Sequence, residues 1–363
     1  VNGKLTGPSV LALTGDMTGP TLWRCLQPIT ALERIGYPCG WDFLKNGAIS
    51  VISPLFDGYV LFRASWPPDQ RRLAERLFAS IRKAGKFVVY DSDDDVFTSQ
   101  ETHRRVELNW TEGKSLEQLD AERFERIWCM QQCDGVTVST QRLATIVRTY
   151  TQKPVIVVPN AIDLPWFRGI VRATKRQIPG LTIGWAGGRR HDRDVEQMAE
   201  AWGLIARRYP DVRFVVQGWQ PAVIAEHVPS DRLVVLPWMP LETYPAGLAQ
   251  VDIACCAVAD TPFNRAKSQI KAMEAAAAGS AVVASPFYAG LVDHGASGFI
   301  AESVGEWEDA LSELIKKPAL RSIMATRLRK VVERKHSLKT NLWRWPSSWQ
   351  TIAESARGRL VVA

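Results

Sequence analysis

Short apolar runs alternate with longer stretches of helical period along the chain. In the first half the runs are SVLALT, YVLFRA, KFVVYD, GVTVS and VIVVPN; in the second they are LTIGWAG, RFVVQG, LVVLPW, IACCAV, AVVASP and GFIAE. Most are continuous rather than alternating, which is the pattern of strands covered on both faces. Between them, PPDQRRLAERLFASIRKAG and SLEQLDAERFERIWCMQQC read as helices. Strand–helix alternation of this kind predicts an α/β fold with parallel sheets. The stretch DLPWFRGIVRATKRQIPG, residues 163–180, is punctuated by Pro and Gly without clear periodicity and reads as a linker. The expected organisation is therefore a Rossmann-like domain over residues 1–165, a linker over 166–180, a second Rossmann-like domain over 181–335, and a C-terminal segment over 336–363 that packs back on the first domain. Two doubly wound domains are expected to face a central cleft, with ligands at the carboxyl ends of their strands.

With 363 residues and 46% hydrophobic content, the chain has enough apolar material for two cores. It contains no run of about 18 apolar residues, so no transmembrane segment is expected. The opening VNGKLTGPSVLALTGD has no basic region before a long apolar run, so no signal peptide is expected either. Six cysteines form no C-x-x-C pair and no zinc spacing. They read as reduced thiols of a cytoplasmic protein. The net charge is +7, and its distribution is uneven. Between Ile315 and Arg344 there are ten Lys and Arg against the single acid Glu333. This is either a solvated helix face or a patch for a polyanion, nucleic acid or an anionic membrane surface.

The segment PFNRAKSQIKAMEAAAAGSAVVASP, residues 262–286, reads as a helix followed by a buried strand. Asn264 is the expected N-cap and Gly279 the terminating residue. Arg265, Lys267 and Lys271 then fall in the first two turns, where the helix dipole disfavours cations. An anion docked at that end removes the conflict. Lys267, Lys271 and Glu274 share one face, and a carboxylate two turns along suits ribose hydroxyls. Together they describe a nucleoside-diphosphate site. A second phosphate element is expected from LTIGWAGGRRHDRDVEQM, where Gly184, Gly187 and Gly188 precede Arg189, Arg190 and His191. Glycines let backbone approach a pyrophosphate, and the basic side chains neutralise it. The turn is not a G-x-G-x-x-G, which argues against a dinucleotide.

With these residues in view, the chain resembles the retaining two-domain GT-B glycosyltransferases of the nucleotide-sugar-dependent family 4 type. IGWAGGRRHDRDVE, VIVVPNAID and PFNRAKSQIKAMEAAAAGSAVVAS carry the resemblance, with YDSDDDVF a lesser mark. It spans most of the chain and is strongest over residues 134–310. It implies α/β GT-B architecture, a nucleotide-sugar donor (a UDP-sugar is expected) on the C-terminal domain, and an acceptor on the N-terminal domain. It places Arg189 and Lys267 on the donor diphosphate and Glu274 on the ribose, with Gly187, Gly188, His191, Asn264 and Lys271 completing the donor site. The family often has a Glu eight residues before the one matching Glu274; here that position is Ala266.

The acidic run YDSDDDVF follows a strand. Asp91, Asp93 and Asp94 are expected to bind acceptor hydroxyls, together with Asp16 in TGDMTGPTLWR. An Asp-x-Asp metal site of the single-domain GT-A kind is the competing reading. A cationic diphosphate site makes such a metal redundant, so no metal or cofactor is expected. His103 is a further catalytic candidate by analogy. Asn160 and Asp163 are expected to fix the crossover between domains. Among 14 tryptophans, Trp343, Trp345 and Trp349 cluster beside the basic region, either as packing or as a stacking platform for bases. The expected activity is hexosyl transfer from a nucleotide sugar to a hydroxyl, with a hydroxymethylated base in DNA as one acceptor and a glycan or lipid at a membrane surface as the alternative. A nucleotide-sugar epimerase and a non-catalytic nucleotide-sugar binder are the rival classes.

Overall fold

A computed structural model describes residues 5–44, 52–99, 114–189 and 191–362. The chain forms two compact units. The first comprises residues 1–161, 265–268 and 338–363; the second comprises 162–264 and 269–337.

The first unit holds a parallel sheet of six strands: β1 (Val10–Thr14), β2 (Cys39–Phe43), β3 (Gly58–Phe62), β4 (Phe87–Ser92), β5 (Gly135–Val138) and β6 (Val155–Val157). Their order is β2-β1-β3-β4-β5-β6. Val10 of β1 sits opposite Cys39 on one side and Gly58 on the other, so the chain reverses its direction of winding between β1 and β3. Period-2 geometry sends alternate residues to opposite faces. Tyr59, Leu61, Val88 and Tyr90 pack with Phe78, Ile81 and Met130 of helices Arg71–Lys83 and Leu116–Gln132. Val60, Phe62, Phe87 and Val89 point the other way, toward Ile29, Leu32, Trp345, Trp349 and Ile352. The C-terminal helix Arg344–Val362 thus supplies a large share of one core layer. Trp345 and Trp349 are buried there, so packing and not base stacking is what they do; Trp343 stays exposed.

The second unit holds β7 (Thr182–Gly187), β8 (Arg213–Gly218), β9 (Leu233–Leu236), β10 (Ile253–Cys256), β11 (Ala281–Ala284) and β12 (Phe299–Ile300). Their order is β12-β11-β10-β7-β8-β9, all parallel, with the reversal between β7 and β10. Ile183, Trp185, Phe214, Val216, Cys255 and Val283 form the core with Val195, Met198 and Trp202 of helix Asp192–Arg208 and Leu311 and Leu314 of helix Val304–Lys316. The alanine-rich helix Ile270–Ala278 packs close to β10 and β11, with Ala272, Ala275, Ala276 and Ala277 buried, and Gly279 ends it at φ 95°. Left-handed backbone of this kind favours glycine.

The stretch 163–180 is not irregular throughout. It begins with helix Leu164–Ala173, capped by Asp163, whose side chain accepts from the Trp166 N–H at 3.2 Å. Pro165 lies in the first turn, where proline's missing N–H costs nothing. No described helix is long and apolar enough to cross a membrane, and all six cysteines are free.

Candidate active site

Ligands of doubly wound sheets bind outside the carboxyl ends of the strands, at the point where strand order reverses. In the second unit that point lies between β7 and β10. Gly187 ends β7. A Cβ there would fall 2.4 Å from the Trp185 ring and 3.1 Å from Lys271 Nζ, so only glycine fits. Gly188 and Arg189 come next. Arg189 is exposed, with its guanidinium 4.3 Å from the centre of the Trp219 ring. Arg190 lies outside the described residues.

The next two segments are tied by one carboxylate. Asp194, in the first turn of helix Asp192–Arg208, is buried. Its Oδ2 lies 2.5 Å from His191 Nδ1. Its Oδ1 accepts from the Ala259 N–H and from Asn264 Nδ2, each at 2.8 Å. A carboxylate suits the positive end of a helix. Here it fixes the orientation of the imidazole and joins the loop after β7 to the loop after β10. His191 and Asn264 are legible as candidates in the sequence, whereas Asp194 is not singled out there; the His-x-x-Asp spacing that joins the pair is the available signal.

This arrangement corrects the expected helix boundary. Asn264 spends its amide on Asp194 and on the Ala259 carbonyl, at 3.0 Å, and does not cap a helix. Residues 264–266 form a 3₁₀ turn, and the helix starts at Ile270 after Gln269. Arg265 and Lys267 therefore precede it, and Lys271 is the cation left in its first turn. The charge conflict expected from the sequence shrinks from three cations to one.

Lys271 turns its Nζ toward Trp185, 5.0 Å from the ring centre. It lines, with Gln217, Tyr244, Cys256 and Glu274, a cavity of about 20 Å³. That is room for a single water. Glu274 is buried, and its Oε2 accepts from the Tyr244 hydroxyl at 3.0 Å. Burial, reinforced by the Glu274 charge, pushes the Tyr244 phenol well up, so it remains a donor. Nothing in the sequence marks Tyr244. A ligand larger than water meets this pair only after a side-chain rearrangement.

Residues 265–268 group with the first unit. Ala266 is fully buried, and its carbonyl accepts from Thr140 Oγ1 at 2.7 Å. Asn160 Nδ2 donates to Ser268 Oγ at 2.9 Å. Half-buried Lys267 lies between these two anchored residues.

The acidic cluster of the first unit is engaged within the protein. Asp91 is buried and forked onto Arg24, with Nε to Oδ1 at 2.9 Å and Nη2 to Oδ2 at 2.6 Å. Thr137 Oγ1 also donates to it, at 2.5 Å. Arg24 Nη1 reaches the Val158 carbonyl and Asn160 Oδ1. With both oxygens committed, Asp91 is a structural ion pair rather than an acceptor ligand. Asp93 and Asp94 both pair with Arg63 Nη2, at 2.5 and 2.6 Å. Asp95 Oδ1 holds the Phe97 and Thr98 N–H groups. Asp16 is exposed, but its Oδ1 accepts from the Thr18 N–H and from the Thr18 and Thr21 hydroxyls, organising the turn after β1. His103 lies outside the described residues. Among the described residues no group of three His, Cys, Asp or Glu is arranged to hold a metal.

Two six-stranded parallel sheets wound in this way make the GT-B architecture of glycosyltransferases. Residues 180–317, which contain the whole β7–β10 edge, match the family "Glycosyl transferases group 1". Among solved structures, sucrose-phosphate synthase from Thermosynechococcus elongatus aligns over 96% of this chain and 99% of its own, with TM-score 0.67 and 12% identity. Anabaena HepE in complex with UDP and glucose aligns over 93% and 98%, with TM-score 0.61 and 15% identity. At these identities the likeness is one of fold. No curated protein matches the chain in sequence.

Proposed function

We propose that the chain transfers a sugar from a nucleoside diphosphate sugar to a hydroxyl acceptor. The carrying observation is that Arg189, just after β7, and Lys271, in the first turn of helix Ile270–Ala278, both lie inside the family-matched segment that contains the β7–β10 edge. Anionic diphosphate is the ligand such an edge favours. HepE, a fold neighbour, holds UDP and glucose in its structure, which supports a UDP-sugar donor here. Arg189 would neutralise charge developing on the leaving diphosphate and Glu274 would take the ribose, and the family resemblance adds Lys267 as a further diphosphate ligand. Retention follows the family 4 resemblance. Ala266 means that any carboxylate acting on the donor sugar comes from elsewhere in the chain.

The test is release of free nucleoside diphosphate from a panel of UDP- and GDP-sugars, with and without EDTA. Parallel runs contain hydroxymethylcytosine DNA, glycans or lipid acceptors. The expected result is release from a UDP-sugar, undiminished by EDTA. Replacing Lys267 by Ala should lower it about 10²–10³-fold, the usual effect of removing one charge-stabilising donor. Epimerised sugar nucleotide without release makes the chain an epimerase; tight binding without turnover makes it a binder.

A further inference from the structure

Away from the β7–β10 edge, the second unit carries a groove of about 350 Å³ between the loop after β11 and helix Pro318–Lys335. That volume lies within the range of small-molecule sites, about 300–1,000 Å³. Its helical wall presents Arg327, Lys330 and Arg334, spaced so that they share one face. Lys335 also lines it, against the lone acid Asp293. The opposite wall is built from small residues, Ala289, Gly290, Ala296 and Ser297, which leave room beside the backbone. Arg327 Nη1 donates to the Ala296 carbonyl at 3.2 Å, joining helix to loop. Arg334 Nε donates to the Lys330 carbonyl at 3.2 Å, which holds its guanidinium along the wall. Among the described residues, Arg327, Lys330 and Arg334 make no ion pair with any carboxylate.

Three neighbouring cations without an acid repel one another, and helix Pro318–Lys335 contains only Glu333 to offset six basic residues. A multiply charged anion relieves this better than a single carboxylate does, and two guanidinium forks suit phosphate oxygens. We infer that this groove is a binding site for a phosphate group, carried either by a free phosphorylated compound or by a lipid headgroup. The inference does not depend on the transferase reading.

Inorganic phosphate titrated into the full chain by calorimetry is the test. The Lys330→Ala/Arg334→Ala variant should lose at least tenfold in affinity. A Lys83→Ala/Lys316→Ala variant, with the same change in charge at sites elsewhere, should retain it. If the alanine pair melts early, Lys330→Gln/Arg334→Gln replaces it. Sedimentation with phosphatidylglycerol vesicles but not phosphatidylcholine, abolished in the groove variant, assigns the phosphate to a lipid; phosphate affinity without vesicle binding assigns it to a free compound. Equal phosphate affinity in wild type and groove variant overturns the site. Duplex DNA binding in the absence of any phosphate affinity overturns it as well.

Discussion

The carboxyl ends of the two sheets treat charge in opposite ways. In the first unit, Asp91, Asp93 and Asp94 meet Arg24 and Arg63, and the acids and bases satisfy one another inside the protein. Arg63 even adopts φ 48°, a conformation that disfavours a side chain. In the second unit the buried acid Asp194 binds an imidazole, an amide and a backbone N–H, while exposed Arg189 lies on a tryptophan face. A charge cluster in sequence therefore says little about ligands until its internal partners are known. Paired charges hold a fold together; an exposed charge stacked on an aromatic face can still act on a ligand.

The sharpest way to break this contrast is to remove Arg24. Arg24→Ala leaves Asp91 buried without its partner and should destabilise the first unit by about 3–5 kcal/mol. Denaturant unfolding reads this; a loss under about 1 kcal/mol would mean the pair is not structural. A smaller effect is expected from Asp194→Ala, which takes an acceptor from the Asn264 amide and from the Ala259 N–H. The cost should be about 1–3 kcal/mol, and donor turnover should fall with it. Full turnover in a folded Asp194→Ala variant would detach His191 orientation from function. Tyr244→Phe should cost only about 0.5–1.5 kcal/mol. It should also change the donor KM more than kcat, since Glu274 loses one of its hydrogen bonds; an unchanged KM would count against a ribose role for Glu274.

The gentlest probe is pH. Burial raises the Asp93 carboxyl to about 6, with Arg63 opposing and Asp94 adding to the rise. An unfolded Asp titrates near about 3.9. Between those values the folded chain keeps a proton that the unfolded chain has lost. The contribution of Asp93 to stability is thus full below about pH 4 and is lost as pH rises through about 6. Asp93→Asn removes this loss, so its melting temperature should gain on wild type from about pH 4 to 6. Parallel curves would place the proton elsewhere.

Much of the fold was legible because its strands are buried on both faces and stand out as apolar runs. β2, CGWDF, was not. It lies at a sheet edge, half-exposed, and carries neither a continuous run nor alternation. The helix at 164–173 was hidden by a proline and a glycine that its geometry tolerates. The start of helix Ile270–Ala278 was misplaced for a different reason. Asn264 has the right chemistry for a cap, but a residue 70 positions earlier claims its amide. The turn after β7 was readable from its glycine and charge, Gly187 and Arg189. Tyr244 and Thr140 act through contacts that no local pattern encodes.

The core layer that contains Trp345, Trp349 and Ile352 sets an order of events during synthesis. β1, β3 and β4 are made early, yet one of their faces waits for helix Arg344–Val362 before it can be covered. The second unit is nearly contiguous and needs little from the chain beyond Ser337. Domains generally fold as units as they emerge, so the later-made unit should finish first. Until helix Arg344–Val362 emerges, the nascent first sheet presents Val60, Phe62 and Val89 to whatever chaperone attends the ribosome.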